Sequence, residues 1–207
     1  MNSKVSKHLK EILVGKLLGD AHLETQNNGK TYRFKFEHSE KQKEYIFWLY
    51  KRLEKFCGTS PRIKTGTRNG KTYKKYFFQT KSFPNFVFFG KQFYEDKKKV
   101  IPKRIIRKLL TPLSVAVWFM DDGSVKSGDT NGRLFNTQGF SKKEVSLLSE
   151  TLNNKFNLHT YLRKQKEGYQ IFVPAQDAVV FYNLIRSFVL PMFQYKLPKL
   201  KSDSKLD

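Results

Sequence analysis

One order of hydrophobic patterns occurs twice in this chain of 207 residues, and that repetition constrains the fold more than any other feature. The first pass opens with a helix expected over 8–19, apolar at Leu9, Ile12, Leu13, Leu17 and Leu18. Over 31–37, Tyr32, Phe34 and Phe36 alternate with Arg33, Lys35 and Glu37, the period-two signature of a half-buried strand. A helix over 41–56 follows, ended by Gly58 in a C-cap position. A hairpin over 62–80 then turns between Thr67 and Lys71, where Asn69-Gly70 is a strong turn signal. A short aromatic helix over 83–94 closes the pass.

The second pass keeps that order. Thr111 is placed to cap a helix that has Pro112 at its first position and runs to Asp122. A strand is expected over 133–140 and a helix over 141–156, with Ser141 and Glu144 as a capping box. A hairpin over 160–173 turns near Glu167-Gly168, and a helix over 176–190 ends the pass. Each half reads αββαββα, an α+β unit with a four-stranded antiparallel sheet. A repeat of about one hundred residues is too long for a solenoid and fits two pseudo-symmetric subdomains. A single α+β domain with a coincidental order is the competing reading. The expected division is an N-terminal subdomain 1–95, a basic linker 96–110, a C-terminal subdomain 111–198 and a frayed tail 199–207.

Charge narrows the partner. Forty Lys and Arg against 18 Asp and Glu give +22, a surplus that destabilises a compact chain unless a polyanion or counterions screen it. Nucleic acid is the default partner, with an acidic membrane as the rival. The rival weakens because no apolar run reaches the ~18–20 residues that span a bilayer. The N-terminal segment has no apolar stretch of the secretory kind, which points to an intracellular protein. Abundant Lys, Phe and Tyr beside few Ala hint at an AT-rich gene, as in a mitochondrion or chloroplast. The single cysteine, Cys57, excludes an internal disulfide framework and a multi-Cys zinc site. A composition 39% hydrophobic and 15% aromatic is that of a folding chain, not a disordered one.

The chemistry sits at the ends of the two opening helices. The first reads Leu13-Val14-Gly15-Lys16-Leu17-Leu18-Gly19-Asp20-Ala21, the second Val115-Ala116-Val117-Trp118-Phe119-Met120-Asp121-Asp122-Gly123. Both place carboxylates where the helix macrodipole is negative, which disfavours an anion by roughly 0.3–1 kcal/mol. A bound cation reverses that sign, joining the carboxylates and the unpaired terminal carbonyls into one ligand set. The candidate metal ligands are therefore Asp20 and Asp122, with Gly19 and Asp121 beside them. Gly15, Gly19 and Ala116 are small enough for two such helices to approach closely. Read without a cation, Asp20 is a helix stop and Asp121-Asp122-Gly123 a turn.

These nonapeptides, their spacing and the duplicated order resemble the single-chain, double-motif LAGLIDADG homing endonucleases, roughly from Leu9 to Pro198. The second half matches more closely, through Leu110 to Gly123, Asn136 to Ser141 and Gln194 to Pro198. The first half departs: Lys16 stands among the apolar positions of its motif, and Gly19-Asp20-Ala21 replaces Ala-Asp-Gly, a change expected to alter packing rather than chemistry. The resemblance implies two sheets forming a DNA-binding saddle, with the motif helices packed at the subdomain interface. It also implies a monomeric, metal-dependent phosphodiester hydrolase that cuts both strands of DNA across the minor groove, leaving short 3′ overhangs and promoting intron mobility. Asp20 and Asp122 would bind Mg2+, with Mn2+ able to substitute and Ca2+ able to occupy the site without cleavage. Asp121 is given no metal role by the resemblance.

The resemblance also carries a lysine to the end of each half, here Lys99 and Lys196, as stabilising charge or water-orienting groups. Lys98 is an alternative to Lys99. It suggests that Glu37 and Gln138 border the metal pocket and hold solvent, where strand alternation alone would make Glu37 one more exposed residue. Recognition is expected from the sheets: Arg33 and Lys35, Arg62 and Lys64, Arg68, Lys75 or Lys74, Asn136, and Arg163 with Gln165. Antiparallel ribbons fit the major groove, where Arg can read guanine and Asn or Gln adenine. Period two leaves the phase of 73–80 open. His8, His22, His38 and His159 show no ligand spacing and read as surface or packing residues. Double-stranded DNA is thus the expected partner. An RNA-binding intron maturase on the same fold, with host intron RNA as partner, is the alternative. A DNA-binding regulator with a dead site is disfavoured by the retained Asp20 and Asp122.

Overall fold

A computed structural model describes residues 4–126 and 131–199, so the expected tail lies outside the described residues apart from Lys199. The chain forms two compact units. One combines Asp20–Asp96 with the chain up to Lys10, and the other combines Glu11–Gly19 with the chain from Lys97 onward. The opening helix, α1 (Lys7–Leu18), begins in the first unit and contributes its larger part to the second.

In the first unit, β1 (His22–Glu24), β2 (Arg33–Ser39), β3 (Arg62–Arg68) and β4 (Lys71–Gln79) make an antiparallel sheet in the order β1-β2-β4-β3. The β3–β4 turn places Asn69 and Gly70 at φ 51° and 72°, the left-handed pair that a tight hairpin needs. Helices α2 (Lys43–Leu53) and α3 (Val87–Phe93) supply core residues, followed by the short strand β5 (Tyr94–Glu95). Alternation in β2 turns Phe34 and Phe36 inward, where Phe34 meets Phe86 edge-on at 5.0 Å and Phe36 stacks on Phe78 at 4.8 Å.

The second unit continues through β6 (Lys98–Lys99), α4 (Ile106–Leu109) and α5 (Pro112–Asp122). Thr111 caps α5 and closes a reciprocal box with Ser114. Its sheet joins β7 (Gly123–Val125), β8 (Arg133–Phe135), β9 (Tyr161–Gln165) and β10 (Gly168–Val173) in the order β7-β8-β10-β9. Every residue of α5 from Leu113 to Met120 is buried, with Trp118 and Phe119 against Phe135 at 4.1 and 5.4 Å. Helix α6 (Lys142–Phe156) starts at the expected Ser141–Glu144 box, and α7 (Ala178–Ile185) follows. The fold is α+β with two four-stranded antiparallel sheets of matching order. Among the described residues, no helix is long and apolar enough to cross a membrane.

Two elements of the second unit are shorter than sequence periodicity suggests. The strand expected over 133–140 ends at Phe135, because Asn136 turns to bind the Asp122 carbonyl and Thr137 to Phe140 closes a turn. The helix expected over 176–190 becomes a 3-10 turn at Ala175–Asp177 and then α7, which ends at Ile185.

Candidate nucleic-acid and metal site

The end of α1 and the end of α5 come together within the second unit, and glycines permit it. A Cβ on Gly15 would lie 2.5 Å from the Ser114 carbonyl and 2.7 Å from Val117 Cβ. One on Gly19 would lie 2.5 Å from Asp121 Oδ2. Lys16 is the departure that sequence comparison read as a packing change. Its Nζ donates to Asp121 at 2.8 Å from Oδ1 and 2.7 Å from Oδ2, with both side chains wholly buried.

Both expected lysines reach helix ends. Lys99 Nζ donates to the Gly19 carbonyl at 2.7 Å, while its neighbour Lys98 is exposed. Lys196 Nζ donates to the Met120 carbonyl at 2.7 Å. A cation at such a carbonyl is favoured by the macrodipole and satisfies an acceptor the helix leaves open. Arg133, 2% exposed, secures the second lysine by donating from Nε to the Lys196 carbonyl at 2.6 Å and from Nη2 to the Leu197 carbonyl. Burial lowers the Arg133 pKa from its ordinary value.

Asp122, the last residue of α5, is partly exposed. Its carbonyl accepts from Asn136 twice, from the backbone N at 3.0 Å and from Nδ2 at 2.8 Å, and Gln170 in turn donates to Asn136 Oδ1 at 2.7 Å. Asn136, expected among the base readers, thus braces the residue that carries the candidate ligand. Gln138 lies in the turn after β8, its backbone close against Gly168.

In the first unit, the Asp20 side chain is 49% exposed. His38 lies on the inward face of β2, 2% exposed, with Nδ1 3.1 Å from Gln42 Oε1 and 3.8 Å from Asp20 Oδ2. The sequence reads it as a surface or packing residue, and alternation, which puts it in phase with Phe34 and Phe36 rather than with Glu37, decides for packing. Glu37 is exposed on the opposite face and pairs with Lys75 at 2.7 Å, a bond that raises the Lys75 pKa.

Register settles the open phase of β4. Lys35 faces Gln79, Glu37 faces Phe77, and Lys75 faces both Ser39 and Lys64, so Lys75 rather than Lys74 shares the face of Arg33, Lys35, Arg62, Lys64 and Arg68. That face is not uniformly cationic. Glu24 binds Arg33 through a short contact and Lys35 at 2.7 Å. Burial pushes the Glu24 pKa up, but the hydrogen bonds and charges of Lys35 and Arg33 outweigh it and hold the group below its ordinary value. In the second unit, Gln170 opposite Arg163 and Gly168 opposite Gln165 put Arg163 and Gln165 on the face away from the core residues Phe135 and Ile171. Cys57 donates to the Leu53 carbonyl, and burial, helped by Glu54, pushes its thiol up to about 12, so it offers no nucleophile near neutrality.

Known proteins give this arrangement its context. The family model described as the LAGLIDADG DNA endonuclease family matches residues 10–181. A probable intron-encoded endonuclease of Wickerhamomyces canadensis is 32% identical over 93% of this chain and 85% of its own length. A cytochrome b mRNA maturase of Debaryomyces hansenii is 31% identical over 95% of this chain and 76% of its own. Among solved structures, the homing endonuclease I-WcaI bound to its DNA recognition sequence superposes with a TM-score of 0.89 at 30% identity, covering 94% of this chain and 88% of that one.

Proposed function

Because the chain belongs to the LAGLIDADG DNA endonuclease family, we propose that it is a site-specific homing endonuclease that makes double-strand breaks in one long asymmetric DNA target. It leaves short 3′ overhangs, promotes mobility of its host intron and works as a monomer in a mitochondrion or chloroplast. The observation that carries this reading is a carboxylate held at the end of each motif helix, Asp20 and Asp122, in a chain of net charge +22. Stability alone would favour lysine at those positions.

The donor set suits a hard divalent cation. Asp20, its side chain 49% exposed, and Asp122, partly exposed, offer carboxylate oxygens, and Mg2+ needs few protein ligands because it keeps waters and phosphate oxygens. When bound, such a cation activates water and offsets charge on the attacking and leaving oxygens. The chain's own groups supply the rest. Lys99 and Lys196 fix the helix ends that present the carboxylates and set positive charge beside the scissile phosphates. Glu37 and Gln138 hold solvent at the margin of the site. Arg33, Lys35, Arg62, Lys64, Arg68, Lys75, Arg163 and Gln165 bind the duplex, many of them through phosphates alone.

Cleavage of mixed DNA with Mg2+, followed by sequencing of the new ends, tests the reading. Recurrent breaks at one long sequence are expected from the parent and none from Asp122→Asn or Asp20→Asn, with DNA binding kept. Cleavage by Asp122→Asn would overturn the metal assignment. The D. hansenii relative favours a second reading, an intron maturase acting on RNA. It takes precedence if DNA holding the intronless host site is left intact while splicing of the intron is promoted.

A further inference from the structure

The proposed reaction uses Asp20 and Asp122 but leaves unexplained a second carboxylate, Asp121, beside the latter. Its partner Lys16 is equally unexplained. Leu13, Val14, Leu17 and Leu18, which surround Lys16 in α1, are at most 1% exposed, and Lys16 itself is 0% exposed. A helix that only had to pack would carry leucine there, since replacing a buried ion pair by well-packed apolar groups is often neutral or stabilising. The pair therefore needs a reason beyond cohesion.

The surrounding geometry supplies one. Lys16 Nζ engages both oxygens of Asp121 at 2.8 and 2.7 Å, and Oδ2 would touch any Cβ added to Gly19. Gly19 is covalently next to Asp20, and Asp121 is next to Asp122. One ion pair thus sets the register of the two residues from which both proposed metal ligands leave their helices. It also answers a charge problem. Two adjacent carboxylates at the end of α5 would both attract a cation, and the buried ammonium cancels one of them.

Resting on the metal-dependent reading above, we propose that Lys16 and Asp121 are a positioning pair. They hold the α1 and α5 ends in register and withhold the Asp121 charge from the metal site, so that Asp121 is not a ligand.

The test uses the full-length chain in four forms: parent, Lys16→Met, Asp121→Asn and the double variant. Mn2+ binding is followed by loss of the free-ion EPR signal, and stability by urea unfolding. Lys16→Met removes the ammonium that hydrogen-bonds both Asp121 oxygens and should tighten Mn2+ binding, whereas Asp121→Asn removes the anionic half of that pair and should weaken it. The double variant should bind Mn2+ as the parent does. A purely structural role would move both single variants in the same direction, and a ligand role for Asp121 would leave the double variant as weak as Asp121→Asn; either result overturns the proposal. In urea, each single change should lower the folded-to-unfolded ratio at least about 100-fold and the double change much less, because breaking a buried pair strands a charge and removing both halves does not. Additive losses would overturn it too, and a double variant that folds where a single one does not would support it. Asp122→Asn runs alongside: if it leaves Mn2+ binding unchanged, the metal reading fails, while the unfolding comparison still judges the pair.

Discussion

Lys99 and Lys196 stand at corresponding points, one before Val100-Ile101-Pro102 and the other before Leu197-Pro198. Each donates at 2.7 Å to a carbonyl at the end of a motif helix. Their supports differ. Lys196 is 8% exposed, and its own carbonyl is bound by the buried guanidinium of Arg133. Lys99 is half-buried, and its segment is tied down through the Ile101 N–H, which donates to Glu144 Oε1 at 2.9 Å. The same ammonium-on-carbonyl contact is thus held by a permanent charge in one half and by a titratable one in the other. Duplicated halves can share a contact while the parts that stabilise it diverge.

The strongest way to break the comparison is to remove the permanent support. Arg133→Leu should cost about 3–5 kcal/mol, because it withdraws charged donors from the carbonyls of Gly132, Lys196 and Leu197 and leaves them buried. Thermal or urea unfolding would measure it. A loss below about 1 kcal/mol, the size of an ordinary neutral hydrogen bond, would mean the clamp is dispensable.

The lysines come next. Lys196→Met should destabilise by about 2 kcal/mol, the range of a charge-assisted hydrogen bond in a buried setting. Lys99→Met should cost about 1 kcal/mol or less, since solvent can replace a partner at a half-exposed site. Both should lose cleavage in the mixed-DNA assay. If unfolding shows the two costs equal, burial is not what separates the two halves.

The features legible in the sequence were those written in local chemistry. Thr111 and Ser141 cap helices because their hydroxyls reach N–H groups three residues on, and Asn69-Gly70 turns because both adopt positive φ readily. The recurrence of Asp20 and Asp122 was legible for the same reason, since it needs only the spacing along the chain. The features that escaped depend on contacts far apart in sequence. Lys16 looked like a flaw in an apolar stripe until its partner, 105 residues away, was in view. Arg133 and Gln170 read as ordinary strand residues, yet one clamps Lys196 and the other braces Asn136. The choice between Lys74 and Lys75 waited on the pairing of β4 with β2, since alternation gives a period but not which face is which.

The smallest expected effect sharpens the comparison through pH. Burial pushes the Glu144 pKa up, but its bonds to the Ser141 side chain and N–H and to the Ile101 N–H, with the charge of Lys103, outweigh that and hold it below its ordinary value of 4.5. A carboxylate with a depressed folded pKa contributes stability that is fully present above the unfolded value and is lost as pH falls through the folded one. Acidification below 4.5 should therefore loosen the segment carrying Lys99. The Lys196 side should hold, because the Arg133 guanidinium stays protonated throughout that range. Hydrogen exchange measured amide by amide reads this directly. Exchange at Ile101 should accelerate as pH falls, beyond the intrinsic pH dependence of the chemistry, while exchange at Leu197, whose N–H is held by the Gln194 carbonyl, should follow the intrinsic curve alone. In Glu144→Gln the extra acid dependence at Ile101 should vanish. Equal acceleration at both amides would show that one unfolding event governs the two supports, and that the titratable carboxylate does not set them apart.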